Sequence, residues 1–314
     1  MSQASEVELV CTDFAAALDA LRAAGMRLDL IYPADDPHTA LLDNGGQAVR
    51  LTSKPGAQRP GSDLAKFSPE FILNRSEGSG GEGRAGMRYR DLIPGRLGGR
   101  YIASHITILD GGPVADWVHY HRIALQFIYV RSGWVRVVYE DQGEPFVMNP
   151  GDLVLQPPGI RHRVLESSPG LEVIEIGCPA LHETFADHDL ELPNRRNPER
   201  RFHNQRFLHH VAAGTPWTSF NGGEAQEIGI ADCTNGLAEV RTIRAVGSHP
   251  LTFPPHDGEL VFGFVLRGSA QLDYRQGSAI DADDSIVIPP GAAWTLTAAS
   301  TDFRLLHVTT ARLG

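Results

Sequence analysis

Two histidines one residue apart, His119 and His121, are the first side chains in this sequence whose spacing points to chemistry. On a β-strand the side chains alternate between faces, so residues i and i+2 project together. Their two imidazoles can therefore share one metal ion. A third imidazole, His162, follows the turn Pro157-Pro158-Gly159 and opens another strand. Three imidazoles from different strands converge only if the sheet curls, as it does in a small antiparallel barrel.

The elements that must position them are legible around them. Phe127-Ile128-Tyr129-Val130 and Trp134 to Tyr139 are rich in β-branched and aromatic residues, with Arg131-Ser132-Gly133 as the turn between. Asp152 to Gln156 reads as a further strand. Pro157-Pro158-Gly159 closes it, since proline presets φ and glycine accepts positive φ.

This stretch resembles the two signature motifs of the cupin superfamily. Gly112, His119, His121, Gln126 and Gly133 occupy the places of the first motif, with one extra residue between Gly112 and His119. Gly151, Pro157, Gly159 and His162 match the second position for position. The resemblance implies an RmlC-like jelly-roll barrel and one divalent metal ion (Fe, Zn, Ni or Mn) held by His119, His121, Gln126 and His162. The family usually has glutamate where this chain has Gln126. An amide oxygen can coordinate a cation but brings no charge, so water on such an ion should be more acidic than beside a carboxylate. Gln126 is then either the fourth ligand or a neighbour that orients water or substrate.

The chain has 314 residues, 42% of them hydrophobic, and 33 glycines, which suits a turn-rich globular protein of two or three domains. A formal net charge of −10 disfavours nucleic-acid partners, because phosphate binding needs a basic face. No apolar run is long enough to span a membrane. MSQASEVELV lacks the basic and apolar regions of a secretory signal, and Cys11, Cys178 and Cys233 form no CxxC pair, so a cytoplasmic protein with inert buried thiols is expected.

Residues 1–58 read as a small α+β module in the order βαβββ, resembling a half-module of the glyoxalase and vicinal-oxygen-chelate group; a docking or dimerisation role without chemistry is expected of it. Residues 59–95 include Arg59-Pro60-Gly61-Ser62 and the run Ser76 to Gly83, and most of the stretch is expected to be a flexible linker or mobile loop, with Phe67 to Leu73 tacked down locally. Residues 96–195 form the metal-binding barrel. His105, on the strand Tyr101 to Leu109, is either a pocket residue or a structural group. His182, Glu183, Thr184, Asp187, His188 and Asp189 follow the barrel and are expected in a solvated connecting segment. Arg122, Arg136, Arg161 and Arg163 are expected on the surface.

Residues 196–314 repeat the architecture. Phe262 to Gly268 aligns with Phe127 to Gly133, and Ile288-Pro289-Pro290-Gly291 with Gln156 to Gly159. The chain therefore resembles a mainly β bicupin. The second copy has lost its ligands: counting back from Gly268, Pro254 falls at the place of His119, His256 at His121 and Val261 at Gln126, while Trp294 replaces His162. Asp257 and Glu259 nearby could at most support a weak alternative site.

The resemblance implies an enzyme acting on a small molecule, and bicupins that cleave rings or flavonols favour a non-haem dioxygenase using an enol, diketone or phenol. Zinc-dependent lyase, isomerase or cyclase chemistry is the second expectation, and a small-molecule sensor without catalysis the third. Pairing through exposed strands would give a homodimer.

Overall fold

The unbroken apolar run at residues 127–130 exists because both faces of its strand are buried, as in sheets covered on two sides. In the computed structural model this strand, Leu125–Ser132, turns Leu125, Phe127 and Tyr129 towards the second half of the chain and Ile128 and Val130 into the first barrel. The structure describes residues 6–57, 59–61, 64–76, 81–82 and 87–313.

The first barrel is closed by two sheets. One has seven strands, in the order Leu208–His210, Leu153–Leu155, Leu125–Ser132, Leu171–Cys178, Ile102–Ile108, Arg88–Asp91 and Gly81–Glu82. The other has ten and carries His119–His121 between Thr184–Ala186 and His162–Ser167, followed by Val135–Tyr139 and Phe146–Met148.

The N-terminal elements follow the expected order: Val7–Val10, helix Phe14–Ala23, then Arg27–Tyr32, Thr39–Asp43 and Ala48–Thr52. Asp13 caps the helix by accepting from the Ala16 N–H at 3.0 Å. Phe14, Ala17, Leu18 and Leu21, at helical spacing, pack onto Leu42 and Leu51. These strands do not stand apart. Arg27–Tyr32 pairs with Thr184–Ala186, so they extend the ten-stranded sheet next to the histidine strand.

The second barrel has its own seven-stranded sheet and a four-stranded one. Its seven-stranded sheet packs on that of the first barrel through Phe262, Phe264, Leu306 and Val308 against Phe127, Ile174 and Ile176, which forms the largest apolar core. Each seven-stranded sheet also ends on a strand contributed by the segment preceding the other barrel. Ile72–Asn74 pairs with Ser285–Val287 in the second barrel, and Leu208–His210 pairs with Leu153–Leu155 in the first.

That exchange corrects the linker expectation for residues 59–95. Ile72–Asn74 and Arg88–Asp91 are ladder strands, and Leu64 and Phe67 pack on the central core. Their apolar side chains recur between the glycine-rich stretches that dominated the composition. Residues 62–63, 77–80 and 83–86 of the expected linker lie outside the described residues. The boundary at 195/196 is likewise crossed by Leu208–His210.

The second barrel is filled rather than hollow at the corresponding end. Phe253 pairs with Trp294 where His119 pairs with His162, so Phe253, not Pro254, takes the place of His119. The two rings stack at 3.7 Å between centroids, with the buried His307 ring 5.1 Å from Phe253. Glu259 is held by Arg100 through two hydrogen bonds of 2.8 Å, which removes it from any alternative site. Among the described helices none is long and apolar enough to cross a membrane.

Candidate metal centre

Cross-strand register brings the histidines together. His119 pairs directly with His162, and Tyr139 flanks His162 on its other side. The alternation of strand His119–His121 then puts His121 on the same inner face. One ring nitrogen from each of His119, His121 and His162 lies within 4.8 Å of the others, and all three residues are buried. Among the described residues no other group of three His, Cys, Asp or Glu has this geometry.

The outer nitrogens of the rings are fixed from behind. His119 Nδ1 donates to the Trp117 carbonyl at 2.8 Å and lies 3.5 Å from buried Asp116, which in turn accepts from the Val164 N–H. His162 Nδ1 donates to the Ile160 carbonyl at 3.1 Å. His121 Nδ1 lies 3.1 Å from the Thr184 hydroxyl, its partner across the ladder. Nδ1–H bonds of this kind select the tautomer that carries its lone pair on Nε2, the form a metal requires. Tyr139 stacks on His162 at 5.3 Å and 18°, which restrains the ring plane.

Gln126 faces the same space and is 1% exposed. Its Nε2 donates to the Glu175 carboxylate, which orients the amide: only the NH2 end can serve an acceptor. The opposite atom, Oε1, is buried without a hydrogen-bond partner. A buried carbonyl left unpaired is costly unless something else occupies it. The donor set of three buried imidazoles, two of them tautomer-fixed by backbone carbonyls, and one unpaired amide oxygen fits a divalent ion.

The histidines line a cavity of about 80 Å³, otherwise lined largely by apolar side chains such as Ile106, Ile128, Val137, Met148 and Val173. Its polar lining includes Gln126, Gln156, Glu175 and Tyr139, and no lysine or arginine is among the lining residues. Burial raises the Tyr139 phenol well above its ordinary pKa, so it stays protonated.

His105 does not line this cavity. Ile106 and Ile108 of its strand face the cavity, so alternation turns His105 outward, where it bonds Glu172 at 3.1 Å and meets the Phe264 ring of the second barrel. This contact with His105, with Arg131 assisting, holds the Glu172 carboxyl below its usual range.

His182, Glu183 and Thr184 are buried, against the expectation of a solvated segment. Thr184 supports His121, and Glu183 is neutralised by Arg59 and Arg122. The polar composition misled because the partners that neutralise it are remote in sequence. Arg122, Arg161 and Arg136 are engaged by Glu183, Asp187 and Glu166, outside the cavity. Glu175, Gln156 and Tyr139 were missed altogether. A glutamate in phase with Leu171 and Val173, on the same face of an apolar strand, was the available signal for the first.

Residues 105–176 match the family model described as the cupin domain. No curated protein sequence matches the chain. Among solved structures, the protein Ylba of E. coli is similar at TM-score 0.55 with 11% identity, covering 79% of this chain and 94% of that one. The Lactobacillus farciminis oxalate decarboxylase is similar at TM-score 0.54 and 13% identity, covering 81% and 88%. The Bacillus subtilis oxalate decarboxylase is similar at TM-score 0.55 and 12% identity, covering 81% and 80%.

Proposed function

We propose, for a chain whose first barrel contains a cupin domain and whose whole has the bicupin fold, that it is a metal-dependent enzyme: a mononuclear non-haem dioxygenase acting on a small oxygen-bearing molecule such as an enol, diketone or phenol. The observation that carries this reading is the buried, unpaired Oε1 of Gln126 beside three histidines whose outer nitrogens are already anchored. His119, His121, His162 and Gln126 would hold the ion. A divalent ion there supplies Lewis acidity or, as iron, electron exchange with dioxygen.

The remaining residues shape what can enter. The aliphatic walls exclude water and suit both dioxygen and an uncharged organic molecule. A dicarboxylate such as oxalate would find no lysine or arginine among the lining residues, so the fold shared with oxalate decarboxylases does not bring their substrate with it. Glu175 accepts from the Gln126 amide and so lends negative charge to the donor set from one bond further out. The test is elemental analysis of protein purified without added metal, followed by oxygen uptake with catechols, enols and diketones. About one iron per chain with oxygen uptake supports the reading; metal bound without any oxygen consumption removes it.

A second reading rests on Glu175 itself. A carboxylate in an apolar cavity beside the metal donors is a candidate general base, as a zinc-dependent lyase, isomerase or cyclase requires. Zinc in place of iron would bring this reading forward.

A further inference from the structure

Gln156 is 2% exposed and lines the same cavity. Its N–H donates to the Gln126 carbonyl at 2.9 Å, and the register of Phe127 with Leu155 makes the two glutamines direct cross-strand neighbours on the inner face. Its Nε2 donates to the Tyr139 hydroxyl at 2.8 Å, which fixes the amide plane. Its Oε1, like that of Gln126, is buried with no hydrogen-bond partner. The proposed metal ion would account for Gln126 Oε1, whereas Gln156 supplies a second unpaired acceptor to a cavity whose walls are largely apolar.

We infer that Gln156 is a substrate-positioning residue that accepts a hydrogen bond from a hydroxyl or N–H group of a neutral substrate, next to the oxygen that the substrate directs at the metal. This rests on the proposed metal-centred function and narrows its substrate class. Enols, catechols and α-hydroxy ketones carry such a donor beside a second oxygen. A diketone without a donor leaves Oε1 unpaired, and a carboxylate sets acceptor against acceptor. Sites built to hydrogen-bond a substrate hydroxyl reject analogues that lack it far more strongly than apolar pockets sort by size.

The experiment measures binding of catechol and of 1,2-dimethoxybenzene, which keeps both oxygens but has no donor, to metal-free and zinc-loaded protein by calorimetry. In the metal-free protein catechol should bind about tenfold or more tighter than the diether, the scale of one buried hydrogen bond, and zinc should tighten catechol further. In metal-free Gln156→Leu that preference should collapse while affinity for the diether and the zinc content of the loaded variant stay unchanged. Equal affinities in the unaltered metal-free protein would overturn the inference without need of any variant, and so would a metal-free preference that survives Gln156→Leu. If the metal-free preference is present but zinc adds nothing to catechol binding, the Gln156 contact stands and the metal-centred function fails.

Discussion

The amide of Gln126 donates to the carboxylate of Glu175, so beside the three histidines an amide stands first and a carboxylate behind it. Gln126→Glu would bring two carboxylates together, and such a pair shares a proton. Divalent affinity in this variant should exceed that of the parent and rise more steeply with pH, with extra proton release on metal uptake. Unchanged affinity across pH 6 to 8 in metal titrations would show that Gln126 is not a ligand.

His121→Ala should abolish metal binding while circular dichroism reports an intact fold. Trp294→Ala, in the filled second barrel, should keep the metal content of the parent. It should nevertheless destabilise by about 3–5 kcal/mol, as expected for removing a buried stacked aromatic. Metal lost from the second variant and kept in the first would put the centre in the other barrel.

Arg100 and Glu259 form a buried two-point ion pair between the barrels, reinforced by the Tyr101 hydroxyl at 3.1 Å from Glu259. Glu259→Ala strands a guanidinium in the core and should cost about 3–5 kcal/mol in urea unfolding. Replacing both members with apolar residues should cost less than this single change.

His307 is buried beside Phe253 and Trp294, and burial, with Arg241 and His256 adding to it, pushes its pKa down from 6.5 to about 3. A depressed histidine pKa means that the unfolded chain takes up the proton first. Its contribution is therefore complete above about pH 6.5 and is lost as pH falls towards 3, with a limiting slope of about 1.4 kcal/mol per pH unit. His182 and His209 are shifted the same way by burial. Urea midpoints should drop between pH 7 and pH 5, and His307→Phe should flatten that drop.

Val7, Leu9 and Val10 are exposed on a strand that, among the described residues, pairs on one side only. A homodimer formed through this edge is the expected state. Light scattering should give twice the chain mass, and Leu9→Lys should return a monomer.

The sequence made the site's histidines legible because ligand spacing is local: HxH needs only the strand period, and the turn before His162 has its own signature. The duplication was legible for the same reason, through matched glycine and proline turns. What stayed hidden depends on pairing between remote segments. Ile72–Asn74 is too short to announce itself, and its partner lies in the second barrel. His105 carried no mark of which face it would take until the alternation was anchored by Ile106. Glu183 looked solvated because Arg59 and Arg122, which neutralise it, are both far off in the chain. Gln156 reads in the sequence only as the end of a strand, and the cross-strand bond to Gln126 is what places it in the cavity.

The reciprocal placement of Ile72–Asn74 and Leu208–His210 bears on why a barrel without ligands is retained. A fragment ending at residue 195 would lack the strand that covers Leu153–Leu155, and the face carrying Phe127, Ile174 and Ile176 would meet water. A fragment starting at residue 196 would miss its own last strand. The two halves should therefore melt as one cooperative unit. Damage to the half without the histidine cluster should therefore reach the half that carries it as lost protein.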